Sequence, residues 1–419
     1  MVTYVSKNTK YEDFYLNYLM RNQPCIFDSW LTHDWLACST WCSPIGFINT
    51  EKLFENISDS KLCVSNCSVF EFDTHPVFEI TVDEFLSYWN NRIEGKDDRI
   101  LYLKDWHYFK YNSENNWFNL PEYFSSDWLN EFWEFRNDLS DDFKFVYLGS
   151  EGTWTPFHAD VYRSFSWSAN ILGHKRWWIF PPGEEKKLSL PNGKIPCDIR
   201  PIITNREDVE YYVVDQYSGQ VIFIPSGWYH QVVNITDSIS INHNWFNATN
   251  VSYVWDHLKD QLKAIEESTM DVCSTPGWHE ECQTCLRALS GMNFKEFFSL
   301  LKYILITRLP RHIDDMNTVI NEFLKKCKST QYTSLDVLDD LMNCELINLI
   351  KTNLDIFHTA VKNPNLWKEY YTSDTDASNW IRVHDFCMVI QIMKQFIQHP
   401  VVKILKLCND ILKSFLESF

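Results

Sequence analysis

The sequence contains little glycine, comparatively few positive charges and no hydrophobic run long enough to cross a bilayer. Only 11 of the 419 residues are glycine, whereas hydrophobic residues make up 45% and aromatic residues 16% of the chain. This composition excludes a disordered or fibrous protein and predicts an aromatic-rich, compact interior. The best apolar run, residues 297–309, is interrupted by Lys302 and Arg308, so we expect no transmembrane helix and no membrane partner.

The deficit of positive charge limits the partners that the protein can bind directly. Asp and Glu number 56 against 38 Lys and Arg, which gives a formal net charge of −18. Because cations must neutralise the phosphates of a nucleic acid, this balance argues against direct nucleic-acid binding. It suits a partner protein with a basic surface.

A secretion signal and a disulfide framework are also missing. The first ten residues contain no apolar signal core, and the 13 cysteines follow no framework spacing. We therefore expect reduced thiols and a location in the cytosol, with the nucleus left open. Cys282, Cys285 and His279 would supply at most three ligands, so a zinc module is not expected.

Turn residues and hydrophobic periodicity divide the chain into three regions. Residues 1–140 mix helices and strands, with a capping box at Thr81 and Glu84 that predicts a helix and a strand predicted at residues 99–104. Residues 141–250 contain short strands between Gly and Pro turns, which predicts a jelly roll and an α+β fold. Further short strands are predicted at residues 143–148, 166–172, 176–180, 221–224, 229–235 and 239–246.

Two segments of this division have more than one interpretation. Residues 183–219 form a loop-rich insert that is a candidate rim or lid over a site. Residues 251–419 follow a helical rhythm, with an apolar stripe from Val401 to Phe419 at i, i+3, i+4 spacing. The stripe is typical of a core, and the alternative is a homodimer face formed by the C-terminal helices.

Two histidines and one carboxylate in the central region form a candidate metal site. His158 and Asp160 stand two apart in an extended segment, where alternate side chains share one face. His230 follows the turn-forming residues 225–229, at the start of a predicted strand. Two imidazoles and one carboxylate are the ligand set that holds non-haem Fe(II) on one face and leaves the opposite positions open.

Lys175 is a candidate for binding an anionic cosubstrate beside that metal. It follows a Gly-His turn at the start of a predicted strand, and a lysine that points into a barrel is costly unless it meets an anion. A dicarboxylate would supply the anion, and the hydroxyl of Thr155 could share the same carboxylate. The alternative is a surface lysine with its ammonium group in water.

These segments resemble the Jumonji-C, cupin-type family of Fe(II)- and 2-oxoglutarate-dependent oxygenases. The resemblance rests on His158-x-Asp160, on Gly173-His-Lys-Arg-Trp177 and on Pro225-Ser-Gly-Trp-Tyr-His230, and weaker matches extend over most of the chain. It implies a double-stranded β-helix whose iron is bound by the two histidines and the aspartate.

The resemblance also implies roles for residues around the iron. Lys175 would bind the distal carboxylate of 2-oxoglutarate, with Thr155 and Tyr102 assisting. Relatives often have an asparagine at the position of Ser168, and Asn242 would compensate for its absence here.

The resemblance is strongest to a branch of the family that hydroxylates a lysine of the eukaryotic peptide chain release factor. It implies that dioxygen is consumed, that succinate and CO2 are co-products, and that this translation termination factor is the protein partner. A histone lysine demethylase is the first alternative, since it would use the same iron chemistry. A non-catalytic cupin scaffold and an RNA hydroxylase are further alternatives, which the complete ligand set and the net charge of −18 respectively disfavour.

Overall fold

The computed structural model describes residues 2–308 and 377–407, apart from residues 44, 56, 58–60, 72–73, 113–115, 137–141 and 406. The chain divides into two compact units, Met1–Phe246 and Asn247–Phe419. Among the described helices, none combines the length and the apolar character that a membrane span requires.

The strands of the first unit form two sheets. The major sheet has the order β1-β2-β11-β8-β13-β6-β5-β3-β4, and the minor sheet has the order β10-β9-β12-β7. The strands are β1 (Thr3–Val5), β2 (Cys25–Phe27), β3 (Lys61–Asn66), β4 (Val77–Thr81), β5 (Leu101–Trp106), β6 (Lys144–Gly149), β7 (Trp154–His158), β8 (Phe165–Leu172), β9 (Lys175–Phe180), β10 (Tyr212–Gln216), β11 (Val221–Ile224), β12 (Tyr229–Asn234) and β13 (Ser238–Trp245).

Helices surround the sheets in the first unit and form the second unit. Those of the first unit are α1 (Tyr11–Phe14), α2 (Leu36–Thr40), α3 (Thr50–Leu53), α4 (Val82–Ile93), α5 (Tyr108–Tyr111), α6 (Trp128–Arg136) and α7 (Arg200–Ile203). Those of the second unit are α8 (Val251–Ser268), α9 (Trp278–Ser290), α10 (Phe294–Arg308), α11 (Ala377–Gln398) and α12 (Pro400–Ile404). Single turns of tighter or wider helix lie at Tyr15–Leu19, Ser29–Leu31, Glu122–Phe124, Val161–Arg163, Glu184–Leu188 and Met270–Val272.

The two sheets pack face to face through apolar side chains that alternate along their strands. Ile222 and Ile224 of β11 share a buried cluster with Trp177 and Ile179 of β9. Alternation places one face of each strand in this core, as the period of two requires. The structure thus confirms the predicted α+β class with a double-stranded β-helix core.

The N-terminal region extends the major sheet rather than standing apart from it. Strand β5 pairs with β6, and β3 and β4 continue the sheet beyond it, so the sheet crosses the predicted boundary at residue 140. Helix α4 begins as predicted, because Thr81 Oγ1 accepts from the Glu84 N–H at 3.2 Å and Glu84 Oε2 accepts from the Thr81 N–H at 2.8 Å.

The insert at residues 183–219 contributes a strand that the sequence analysis did not predict. Strand β10 pairs antiparallel with β9 and sets Gln216 opposite Lys175. The fully buried Gln216 side chain donates to the Ser168 carbonyl at 2.7 Å and accepts from Trp177 Nε1 at 2.9 Å. It therefore links the two sheets next to Lys175.

The second unit is helical, as predicted, over its described residues. Trp255 of α8 stacks on Phe297 of α10 with ring centroids 5.6 Å apart, and Arg308 forms a buried ion pair with Asp385 of α11 at 3.0 Å. Most of the predicted stripe that ends at Phe419 lies outside the described residues. The homodimer face therefore stays a prediction.

The turn between β8 and β9 requires glycine, and this yields a stability prediction. At Gly173, where φ is +110°, an added Cβ would lie 2.3 Å from Ser238 Oγ and 2.4 Å from the Asp237 carbonyl oxygen. We expect Gly173→Ala to lower the free energy of unfolding by about 3 kcal/mol, from left-handed strain plus overpacking. Urea unfolding checks this value.

Gly183→Ala is the matched control, because Gly183 has a φ of +100° but nothing within 4 Å of an added Cβ. Its expected loss is about 1 kcal/mol, from backbone strain alone. An equal loss of unfolding free energy in the two variants would show that the close approach of Ser238 and Asp237 to Gly173 does not matter.

Candidate active site

Pairing of β7 with β12 brings the two predicted histidine ligands together. His158 and His230 are direct partners in the antiparallel register, and their ring centroids lie 4.5 Å apart. The ligand atoms of His158, Asp160 and His230 all lie within 4.8 Å of one another. Among the described residues they are the only such group of metal-binding side chains.

Asp160 reaches this group from a position that differs from the prediction. Strand β7 ends at His158, and Asp160 instead precedes the single helical turn that begins at Val161. Its backbone is still extended, with φ −58° and ψ 154°, so its side chain keeps to the side of His158. The extended segment predicted for the two residues thus runs beyond the end of the strand, and both side chains lie on the predicted shared side.

Backbone carbonyl groups fix which nitrogen of each histidine is available to a metal. His158 Nδ1 lies 2.7 Å from the Pro156 carbonyl oxygen, and His230 Nδ1 lies 3.1 Å from that of Trp228. A carbonyl oxygen can only accept, so each Nδ1 carries the hydrogen and each Nε2 keeps a lone pair. Metal-binding histidines are commonly oriented in this way.

Burial and hydrogen bonding keep His158 neutral and orient the carboxylate of Asp160, so that both can bind a metal. Burial lowers the pKa of His158, and the neighbouring His230 lowers this pKa further, which keeps the imidazole neutral. Ser166 Oγ donates to Asp160 Oδ2 at 2.6 Å and leaves the other carboxylate oxygen available. Two imidazoles oriented with Nε2 toward a metal and an oriented carboxylate fit a ferrous ion with open positions.

Lys175 lies inside the barrel, as the sequence predicts, and among the described residues its ammonium group has one hydrogen-bond partner, a hydroxyl group. Its side chain is 2% exposed, and Nζ donates to Ser240 Oγ of β13 at 2.7 Å. Burial lowers the pKa of Lys175 to about 7. An anion beside Nζ would restore the charged form, so the position fits the distal carboxylate of a dicarboxylate.

Two buried hydroxyl groups near this cavity lack partners within the protein. Thr155 Oγ1 on β7 and Ser168 Oγ on β8 form no hydrogen bond among the described residues, although their side chains are only 8% and 4% exposed. Ser168 shares its face of β8 with Ser166, which binds Asp160. Orphaned buried hydroxyls usually indicate a missing ligand, and a 2-oxoglutarate molecule would satisfy both.

The other two predicted cosubstrate residues lie close to Lys175. Asn242 Nδ2 donates to Ser240 Oγ at 3.1 Å, so Asn242 and Lys175 share one serine. The Tyr102 side chain is buried beside Asn234, which is the strand partner of Lys175. The structure thus brings Tyr102 and Asn242 to the Lys175 end of the cavity, and their contacts with a cosubstrate stay predictions.

Sequence reasoning missed Ser166 and Ser240, which orient Asp160 and Lys175 respectively. Each stands two residues from a predicted position on the same strand, Ser168 in β8 and Asn242 in β13. The period of two along a strand is the signal that would have found them.

Removal of the Ser166 hydroxyl tests how the carboxylate ligand is oriented. We expect Ser166→Ala to weaken binding of Mn(II), a redox-silent stand-in for Fe(II), by about tenfold to a hundredfold, because Asp160 loses its supporting hydrogen bond. Calorimetric titration of the metal-free protein measures this affinity.

Ser238→Ala is the matched control, since it removes a hydrogen bond of 2.8 Å to the Thr236 carbonyl in a turn. Its Mn(II) affinity should match that of the unmodified protein. An unchanged affinity in Ser166→Ala would show that Asp160 needs no such support.

The low pKa of Lys175 predicts a pH dependence of 2-oxoglutarate binding. The anion binds the ammonium form, whereas the free protein loses that proton as the pH rises through about 7. Affinity for 2-oxoglutarate in the Mn(II)-loaded protein should therefore be highest below this pH and fall by about tenfold per pH unit between pH ~7 and ~9.

Lys175→Met should bind 2-oxoglutarate weakly and without this slope, because it retains an apolar chain but no charge. Lys187→Met removes an exposed lysine that pairs with Glu184 and serves as the control. A slope that persists in Lys175→Met would assign the titration to another group.

Comparison with known proteins agrees with this geometry. Residues 145–245 match the family model described as JmjC domain, hydroxylase. The chain is 38% identical to the "2-oxoglutarate and iron-dependent oxygenase JMJD4" of Danio rerio, over 77% of this chain and 80% of that protein. It is 40% identical to the protein of the same name from Homo sapiens, over 71% of this chain and 74% of that protein.

A plant relative carries a different name. The "Arginine-specific demethylase JMJ20" of Arabidopsis thaliana is 38% identical over 70% of this chain and 67% of its own length. The predicted resemblance is confirmed by these similarities, which extend well beyond the matched domain. The chain belongs to the JmjC family of oxygenases.

Proposed function

We propose that this protein is an Fe(II)- and 2-oxoglutarate-dependent protein hydroxylase that oxidises a lysine side chain of the peptide chain release factor. The oxygenase class is supported above all by one observation: Lys175, buried in the same sheet as His158 and His230, has no carboxylate partner among the described residues. The substrate rests on the resemblance to a release-factor hydroxylase branch. The acidic net charge of −18 suits a protein substrate with a basic surface.

The residues of the chain have separate tasks in such a reaction. When bound, Fe(II) and 2-oxoglutarate supply the activation of dioxygen, with succinate and CO2 as co-products and one oxygen atom transferred to the substrate. His158, Asp160 and His230 would hold the metal, since two imidazoles and a carboxylate are the ligand set that leaves other positions of Fe(II) open. Lys175 would bind the distal carboxylate, and the hydroxyls of Thr155 and Ser168 would be available to the same molecule.

Aromatic packing keeps water away from one side of this centre. The ring of Trp177, 5% exposed, lies 5.6 Å from the ring of His230. Phe157 precedes His158 and packs on Phe180 with centroids 4.8 Å apart. A dry wall strengthens the electrostatic interactions inside the cavity and limits side reactions of the activated metal centre.

Demethylation of an N-methylated arginine is the second candidate. It is favoured by the name of the Arabidopsis relative, an arginine-specific demethylase. Hydroxylation of an N-methyl group releases formaldehyde, whereas hydroxylation of a ring or chain carbon leaves the oxygen on the product. Arginine demethylation and histone lysine demethylation would therefore both release formaldehyde, whereas lysyl hydroxylation would leave the oxygen atom on the substrate.

Mass spectrometry of purified release factor after incubation with the protein, Fe(II) and 2-oxoglutarate tests the proposal. We expect a lysine of the release factor to gain one oxygen atom, with succinate formed in step and no formaldehyde. His158→Ala should abolish both products, because it removes one metal ligand.

The pattern of products separates the alternatives. Succinate without an oxidised release factor would keep the oxygenase and reject this substrate, and formaldehyde from a methylated arginine or lysine peptide would favour a demethylase. If neither succinate nor an oxidised product formed, the result would support a non-catalytic scaffold.

A further inference from the structure

A β-bulge in β5 presents two charged side chains to the cavity face of the major sheet. Leu103 pairs with Leu148 and Trp106 pairs with Val146, so Lys104 and Asp105 together lie opposite a single residue of β6. Asp105 adopts a left-handed backbone with φ 55°. Bulges of this kind redirect side chains and occur frequently beside active sites.

The residue opposite the bulge, Tyr147, faces the cosubstrate cavity. Tyr147 pairs with Ser240, the serine that binds Lys175, and strand partners point to the same side of a sheet. The Tyr147 hydroxyl donates to Asp105 Oδ1 at 2.5 Å. Burial raises the pKa of Tyr147, and Asp105, Tyr102 and the predicted metal ligand Asp160 raise it further.

The Asp105 carboxylate is held in place and remains accessible. Its side chain is 54% exposed, and Oδ2 lies 3.3 Å from Nζ of Lys104, whose side chain is 27% exposed. A carboxylate offers about four lone-pair sites, so the bonds to Tyr147 and Lys104 leave room for another donor. Asp105 is thus an oriented, partly exposed anion beside Tyr147, which faces the side of the sheet where Ser240 binds Lys175.

A left-handed position at this point costs stability unless Asn, Asp or Gly occupies it. Of these three residues only aspartate brings a negative charge. A substrate cation entering the cavity would otherwise meet the ammonium group of Lys104 and the positive charge of the bound metal. An anion beside Lys104 offsets this repulsion.

We propose that Asp105, oriented by the bulge and by Tyr147, binds the cationic end of the substrate side chain. Lys104 is then a resident counter-ion that the substrate cation displaces. The inference deepens the proposed function and rests on it, because it assigns the recognition of a lysine ammonium group to a particular carboxylate.

Steady-state kinetics with the release factor as substrate test the roles of Asp105 and Lys104, because removal of each charge should change KM in the opposite direction. Asp105→Asn retains an acceptor for Tyr147 and a residue tolerant of the left-handed backbone, yet it should raise KM by about tenfold. Lys104→Met keeps the apolar stem and removes the competitor, so KM should fall by about threefold. A purely structural ion pair would instead lower the thermal stability of both variants and move KM in the same direction.

Asp215→Asn is the matched control, because Asp215 also forms an ion pair, with Arg176, but on the outer strand β10. Its KM should equal that of the unmodified protein. An unchanged KM in Asp105→Asn, or a raised KM in Lys104→Met, would overturn the inference while leaving the hydroxylase intact.

A binding measurement tests whether Asp105 recognises a lysine ammonium group even if the release factor is not the substrate. In the Mn(II)-loaded protein, paramagnetic relaxation of the side-chain protons of Nα-acetyl-lysine methylamide reports binding near the metal. We expect relaxation in the unmodified protein, much less in Asp105→Asn, and little for the norleucine analogue, which lacks the charge. Equal relaxation of the lysine and norleucine compounds, or of the two proteins, would overturn the assignment of Asp105.

Discussion

The antiparallel pairing of β7 with β12 is the constraint on which the rest of the site depends. It sets His158 directly opposite His230, and the chain that leaves β7 in an extended conformation carries Asp160 to the same side. Carbonyl groups of the same two segments then fix the protonated nitrogen of each imidazole. Ligand geometry is therefore a property of strand register, which a rigid sheet holds more firmly than a loop would.

The second constraint is the burial of one positive charge. A lysine that is 2% exposed and that bonds, in the part of the chain the structure describes, to a single serine hydroxyl is poorly stabilised in its charged form, and burial accordingly lowers the pKa of Lys175. A dianionic cosubstrate removes this deficit, so the same burial that destabilises the empty cavity favours its ligand. Asp105 would act in the same way with the charges reversed: its carboxylate would favour binding of a cationic substrate side chain.

The sequence predicts the site residues that stand at a recognisable spacing from turn residues. It does not predict the features that depend on how the strands pair. His158, Lys175 and His230 stand beside turn residues that predict their strands, and Asp160 follows His158 in an extended segment. Strand β10 went unrecognised because charged residues such as Arg206, Glu207 and Asp208 precede it and mask its β-branched run. Ser166 could have been found only through the period of two that it shares with Ser168 on β8. The bulge at Asp105 left no signal, since an extra residue in a strand acquires meaning only when its partner strand is known.

Anaerobic titration with Fe(II) and 2-oxoglutarate, followed by visible absorption, tests the central claim most directly. A 2-oxo acid that chelates a ferrous ion produces a charge-transfer band, which should saturate at stoichiometric amounts of both in the unmodified protein. The band should be absent in His230→Ala and should require far more 2-oxoglutarate in Lys175→Met. No band in the unmodified protein, or an equal band in His230→Ala, would contradict a metal centre built on the β7–β12 pair.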